Sequence, residues 1–279
     1  MTIKKIRLDI LLVERGLVET REKAKRTIMA GLVFSEQQRL DKPGVKVNSD
    51  ISVTVKGKLL PYVGRGGLKL EKALKTFNLS VYKKIMVDIG SSTGGFTDCA
   101  LQNGATLCYA VDVGYNQLDW KLRNDSRVVV MERTNFRYVT PDKFNNGMPN
   151  FATIDVSFIS LKIILPVLKT ILADDSDVVA LIKPQFEAGR EQVGKKGIVR
   201  DKTIHKEVLN RILQFAHEEG FGIKDLTFSP ITGGDGNIEF LTHLIWKPQE
   251  KAGELKSNVE FNSIVEQVVG QAHEIHSKK

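Results

Sequence analysis

Between Asp88 and Thr97 the chain reads Asp-Ile-Gly-Ser-Ser-Thr-Gly-Gly-Phe-Thr, where the apolar run Ile85 to Ile89 gives way to a helical stretch beginning at Gly95. A loop of this kind can take a ligand. The first N–H groups of a helix have no intrahelical partner, and small residues let a ligand come close to the backbone. Asp112 lies 24 residues after Asp88, at the end of the next apolar run, where an acid can accept both hydroxyls of a nucleoside ribose. The loop is not a dinucleotide fingerprint, because Ser92 stands where the second Gly would be, and it lacks the Lys of a phosphate-cradling P-loop. NAD and ATP are therefore disfavoured. A tight turn with a capping acid is the purely structural alternative. Cys99 and Cys108 form no C-x-x-C pair and have no His at ligand spacing, so neither a disulfide framework nor a metal site is expected.

These residues need a scaffold. From Lys84 onward apolar segments alternate with amphipathic ones, giving expected strands at 85–89, 107–113, 128–131, 151–156 and 178–182 and helices at 95–102, 161–172 and 204–219. Alternation of this kind predicts right-handed β-α-β units and a parallel sheet, an α/β fold. Two further strands, 223–228 and 238–246, are expected as a terminal hairpin. Tyr115 and Trp120 are expected in the core rather than against a ligand. The polar stretch from Gln185 to Asp201 carries Arg190, Lys195, Lys196 and Arg200, and is either a loop that closes over a polyanion or a solvated one. After a polar linker from Pro248 to Ser257, residues Phe261, Ile264, Val265, Val268, Val269, Ala272 and Ile275 recur at helical spacing and predict a helix docked on the large domain.

The charge is unevenly spread. The chain of 279 residues has 41 Lys and Arg against 33 Asp and Glu, a net charge of +8. Of these, 14 Lys and Arg against 7 Asp and Glu fall between Met1 and Gly66, so almost all of the excess sits in the first quarter. There Leu8, Leu11, Leu12 and Arg15 share a helical face that Gly16 stops, and Thr20 is the expected N-cap of a second helix, Arg21 to Ala30, ended by Gly31. Short strands at 32–35, 45–47 and 51–55 complete a small α+β module. On its second helix Arg21 and Lys25 share one face while Ala24 and Ile28 occupy another. Such a density of positive charge favours a nucleic-acid partner. No apolar run approaches the roughly 18 residues of a spanning helix, and the basic N-terminus is not followed by an apolar signal core, so a cytoplasmic protein is expected.

Two resemblances sharpen this reading. Arg7-Leu8-Asp9, Leu11 to Leu17, Thr20-Arg21, Ala24, Ile28, Gly31 and Val33 resemble the RNA-binding module of ribosomal small-subunit protein four. That resemblance implies a helical pair lying on structured RNA, with Arg7, Arg21, Lys25 and Lys42 as phosphate contacts. Asp88 to Thr97, Ala110 to Tyr115 and Ile154 to Phe158 look like the S-adenosylmethionine site of an FtsJ-like methyltransferase. With Gly64 to Leu70, Arg133-Thr134-Asn135 and Lys183 to Glu187 added, nearly the whole chain resembles the TlyA family, ribosomal RNA 2′-O-methyltransferases acting on cytidine that often carry the label hemolysin.

What the resemblance implies is specific. The fold is a Rossmann-like class I methyltransferase sheet behind a small N-terminal α+β RNA-binding domain. The domains are 1–63 for RNA binding, 64–83 as a connection bearing the first catalytic Lys, 84–249 for methyl transfer, and 250–279 as linker and terminal helix. The catalytic tetrad is Lys69, Asp155, Lys183 and Glu239. The cofactor S-adenosylmethionine is held by Asp88, Gly90, Ser91, Ser92, Thr93, Gly94, Gly95, Phe96, Thr97, Asp112, Val113 and Asp155. Arg65, Arg133 and Arg137 flank the cleft and match positions that meet RNA. The partner is ribosomal RNA in its subunits, 23S and in some members also 16S, with no membrane and no metal.

Methyl transfer from a sulfonium to a ribose hydroxyl needs alignment of two partners and the handling of one proton. A Lys serves as base only when neutral, and both burial and a neighbouring Lys disfavour its ammonium. Lys183 is therefore expected as the base, with Lys69 and Glu239 placing the hydroxyl and Asp155 orienting Lys183. A membrane-active toxin and a non-catalytic RNA-binding protein are the competing classes, and neither requires S-adenosylmethionine.

Overall fold

A computed structural model describes residues 5–29, 31–57, 60–233, 236–248 and 258–276. The chain forms two compact units, Met1–Pro61 and Tyr62–Lys279. The expected linker between Pro248 and Ser257, the helix end at Ala30, and the side chains of Lys195 and Phe261 lie outside the described residues.

In the first unit β1 (Lys5–Arg7) leads directly into α1 (Leu8–Glu14), and α2 (Arg21–Met29) follows. Gly16, at φ +66°, takes the left-handed turn that ends α1, and the Thr20 hydroxyl accepts the Lys23 N–H at the start of α2. Next come β2 (Val33–Ser35), β3 (Gln38–Arg39), β4 (Lys46–Asn48) and β5 (Thr54–Val55), of which β1 pairs with β4, and β2 is flanked by β3 and β5. The core is Leu8, Leu11, Leu12, Val18, Ala24, Ile28, Val33 and Val53. Arg15, grouped with the leucines by spacing, instead points outward and donates to the carbonyls of Ser49 and Ile51.

Asp9 is fully buried between two arginines, 3.0 Å from the Arg7 Nε and 2.9 Å from that of Arg21. The hydrogen bond from Arg7, then that from Arg21, outweighs burial and holds its carboxyl down at about 2. A carboxylate with a lowered folded value stabilises fully above its ordinary value and loses that contribution as the pH falls toward the lowered one. Asp9→Asn should therefore cost about 1–2 kcal/mol at pH 7, discounted because both arginines are half-exposed, and the wild-type and variant urea midpoints should converge near pH 2.

The second unit opens with α3 (Gly67–Thr76), then β6 (Ile85–Ile89), α4 (Gly95–Gln102), β7 (Leu107–Val111), α5 (Trp120–Arg123), β8 (Val128–Met131) and β9 (Phe151–Ile154). It continues with α6 (Leu161–Leu168), β10 (Ser176–Ile182), α7 (Pro184–Glu187), α8 (Lys202–Glu218), β11 (Phe221–Phe228), β12 (Phe240–Trp246) and α9 (Asn258–His276). One sheet of seven strands runs in the order β11-β12-β10-β9-β6-β7-β8. All neighbouring pairs from β10 to β8 are parallel, and only β12 runs against its neighbours. The expected terminal hairpin does pair, but β12 inserts between β11 and β10 and so carries its N-terminal end to the carboxyl edge of the parallel strands. The strand order reverses between β6 and β9, the place where open α/β sheets bind ligands.

Both faces of the sheet are covered. One face packs under α6, α8 and α9 through Ile164, Leu165, Leu168, Val208, Leu209, Ile212, Val265, Val269 and Ala272. The other packs under α3 and α4 through Leu70, Ala73, Phe96, Cys99 and Ala100. Fully burying each large aliphatic side chain here contributes roughly 1.5–3 kcal/mol. Half of the segment 64–83, read as a connection, is α3, whose Leu70 and Ala73 are fully buried.

Candidate active site

Four segments meet at the carboxyl edge of the sheet. Lys69 stands in the first turn of α3, which can approach Tyr62 only because Gly67 lacks a side chain, since a Cβ there would lie 2.3 Å from the Tyr62 ring. Asp155 follows β9, Lys183 follows β10, and Glu239 immediately precedes β12. The loops after β6 and β9 touch at Gly90, where φ is +85° and a Cβ would lie 2.4 Å from the Asp155 carbonyl oxygen, so only Gly allows that approach.

The four side chains form one ionic cluster. Lys69 Nζ lies 3.1 Å from Asp155 Oδ2 and 2.8 Å from Glu239 Oε2, and Lys183 Nζ lies 2.6 Å from Asp155 Oδ1. Lys183 also donates to the Ser157 hydroxyl at 3.1 Å. Asp155 thus bridges both lysines, and two ammonium groups are matched by two carboxylates. Burial works against the charge on Lys69, but Asp155 and Glu239 outweigh it and hold the group above its ordinary value. Burial likewise pushes the Asp155 carboxyl up, and the two lysines overcome that and bring it below its ordinary value. The second Lys that the sequence places beside Lys183 is therefore separated from it by a shared carboxylate.

Beside this cluster lies a cavity of about 410 Å³. Lys69, Asp155, Lys183 and Glu239 form one wall, Gly90, Ser91, Ser92, Thr93, Gly95 and Phe96 another, and Arg65 stands at its side. The other loop residues grouped with the cofactor have different positions. Asp88 and Thr97 are fully buried: one Asp88 oxygen accepts both the N–H and the hydroxyl of Thr97 at 3.1 and 2.7 Å, and the other accepts the Thr153 hydroxyl at 2.9 Å. Burial lifts the Asp88 carboxyl to about 6 despite those hydrogen bonds. They anchor α4 beneath the loop rather than face a ligand. Gly94, at φ +92°, leaves room for Leu118 and Leu122.

Asp112 stands just past β7, with one oxygen accepting the Ser92 N–H and the other the Gly114 N–H, each at 2.7 Å. Each oxygen keeps a lone pair for a further donor, so the acid remains able to accept a diol. It lies beyond the cavity wall, as do the exposed Val113, Tyr115 and Trp120, and the last two are therefore not core residues. Glu132 fixes this rim by accepting the N–H groups of Gln117 and Leu118 and an Arg123 guanidinium at 2.6 Å. If a nucleoside ribose is held at Asp112, Asp112→Ala should weaken cofactor binding about tenfold or more, measured by calorimetry, with the melting temperature nearly unchanged.

The cations divide into committed and available groups. Arg7 and Arg21 are engaged with Asp9, and Lys25 lies 2.7 Å from Glu22, whereas Lys42 is exposed. Arg133 lies over the Tyr115 ring, 4.0 Å from its centroid, and both Arg133 and Arg137 are exposed.

Two aromatic residues at the cavity were not marked by sequence spacing. Phe158 is 91% exposed, has φ +62°, and leans on Phe186 with ring centroids 4.8 Å apart. Both belong to segments that carry chemistry, three residues after Asp155 and three after Lys183, and an aromatic so close to an ionic residue at a strand end was the available signal.

A family profile described as "FtsJ-like methyltransferase" matches residues 62–246, and one described as "S4 domain" matches residues 6–50. The chain is 68% identical over 267 residues to "Putative rRNA methyltransferase YqxC" of Bacillus subtilis, covering 96% of this chain and 95% of that protein. It is 40% identical to "16S/23S rRNA (cytidine-2'-O)-methyltransferase TlyA" of Mycobacterium tuberculosis, covering 86% of this chain and 90% of that protein. Among solved structures, "Putative hemolysin from Streptococcus thermophilus" superposes with a TM-score of 0.76 at 55% identity, covering 99% of this chain and 98% of that one.

Proposed function

Because the chain belongs to the FtsJ-like methyltransferase family, we propose that it transfers a methyl group from S-adenosylmethionine to the 2′-hydroxyl of a cytidine ribose in ribosomal RNA. The observation that carries this reading is the meeting of Lys69, Asp155, Lys183 and Glu239 beside the small-residue loop of β6. The S4 domain and the concentration of positive charge in residues 1–66 support an RNA partner. Among the described residues no helix is long and apolar enough to cross a membrane, and we place the reaction in the cytoplasm, where ribosomes are assembled.

The residues at hand fit the cofactor. Asp112 would hold the ribose diol, the Gly90 to Phe96 loop would line the site for the rest of the cofactor, and Asp155 would stand near its reacting end. When bound, S-adenosylmethionine supplies an already activated methyl group. Lys69 and Glu239 then orient the target hydroxyl. Lys183 accepts the hydroxyl proton as the new carbon–oxygen bond forms and the carbon–sulfur bond breaks, and it must shed its own proton first. Asp155 keeps Lys183 in place and balances the charge that results. Phe158 offers a flat apolar face to the target base, as aromatic side chains do for unstacked nucleotides.

The test is methyl transfer from labelled S-adenosylmethionine to small and large ribosomal subunits that lack the modification. Label on a cytidine 2′-oxygen is the expected result, and the subunit that takes it defines the substrate. Absence of label on both, with the cofactor demonstrably bound, would overturn the assignment.

A further inference from the structure

Phe158 has a backbone conformation that a bulky residue adopts only under constraint. The segment that holds it begins at Asp155, whose N–H donates to the Ile89 carbonyl at 2.9 Å, and ends at Ser160, the N-cap of α6. That second end is tied down by Glu187, the last residue of α7. One Glu187 oxygen accepts the Ser160 hydroxyl at 2.6 Å and the other accepts the Leu161 N–H at 2.8 Å. The Ser160 oxygen in turn accepts the Lys162 N–H at 3.1 Å, so a single carboxylate completes the first turn of α6. The main chain of Glu187 is held as well, its carbonyl accepting from Arg211 on α8.

The two segments so joined are the ones that carry the chemistry. Asp155, Ser157 and Phe158 lie on one, and Lys183, Gln185 and Phe186 on the other, all bordering the cavity. Glu187 borders no part of that cavity wall. We propose that Glu187 is a positioning residue that staples the Asp155–Ser160 segment to α7 and thereby sets Phe158 against Phe186, where the target nucleotide must rest. This rests on the reading of the site as an RNA methyltransferase.

The full-length protein tests it through a double-mutant cycle. Glu187→Ala is expected to lower kcat/KM for the ribosomal subunit at least tenfold, mainly through KM, with the Kd for S-adenosylmethionine within twofold of wild type. In a Phe158→Ala background the same change is expected to cost no more than twofold, because Glu187 acts through Phe158. Glu187→Gln keeps an acceptor for the Leu161 N–H and is expected to fall between wild type and Glu187→Ala. Equal losses in both backgrounds, or a parallel loss of cofactor binding, would overturn the inference. Amide hydrogen exchange at Leu161 and Lys162, whose N–H groups are held by Glu187 and by the Ser160 hydroxyl that Glu187 fixes, needs no substrate, and it should quicken at least tenfold in Glu187→Ala. Unchanged exchange defeats the staple even if no subunit proves to be methylated, whereas quickened exchange without any wild-type methylation would count against the function alone.

Discussion

Lys183→Ala is expected to reduce methyl transfer by about 10²–10⁴-fold while the Kd for S-adenosylmethionine changes by no more than about twofold. The magnitude is that of a positioned base. The selectivity follows from the geometry: Lys183 is bonded to Asp155 and Ser157 and stands across the cavity from the small-residue loop after β6. With Lys183 gone, Asp155 keeps its pairing with Lys69, so the sheet edge should remain folded. Lys183→Arg separates a proton acceptor from a charge, because a guanidinium cannot become neutral in a protein. Single-turnover assays with labelled cofactor should find the Arg variant as inactive as the Ala variant. More than a tenth of wild-type turnover in Lys183→Arg would show that position 183 supplies charge and not basicity.

Asp155→Ala is expected to damage both activity and stability. It leaves two largely buried ammonium groups without the carboxylate they share, and removing one partner of a buried pair typically costs about 3–5 kcal/mol. Transfer should fall by at least about 10²-fold, because Lys183 loses the group that aims it. The pH dependence follows from the lowered value of Asp155. Its contribution is complete above the ordinary carboxylate value of 3.8 and is lost as the pH falls through the lower folded value. Lys69, held above its ordinary 10.5, contributes fully below that pH and loses its contribution only as the pH rises through the higher folded value. The gap between the denaturant midpoints of wild type and Asp155→Ala should therefore be present from pH 7 down to pH 5 and close only in acid. A gap that closed at neutral pH would contradict the bridging role.

The sequence alone determined the seven strands of the large sheet and the helices α4, α6, α8 and α9, because a strand buried on both faces must be apolar throughout, as in Ile85–Ile89, and the helices between such strands must be amphipathic. It also determined the separate basic module, the small-residue loop after β6 that forms one wall of the cavity, and, through family resemblance, the four residues that meet at the sheet edge. The helix around Lys69 escaped it because residues 64–83 read as a connection, and only the Tyr62 ring shows why Gly67 is needed at the start of that helix. Strands ended sooner than their apolar runs: just past β7 and β9 the side chains of Asp112 and Asp155 meet partners brought by other segments.

Partnership itself was decided only by the tertiary structure. Asp88 and Asp112 are both acids at the ends of strands, yet one is sealed against Thr97 and Thr153 while the other keeps lone pairs toward the rim. Arg7 and Arg21 look like free cations until the buried Asp9 claims both. Spacing along the chain specifies which face of its own element a residue occupies. What stands across from that face is set by elements far away in sequence, and burial, charge and hydrogen bonding all depend on that neighbour.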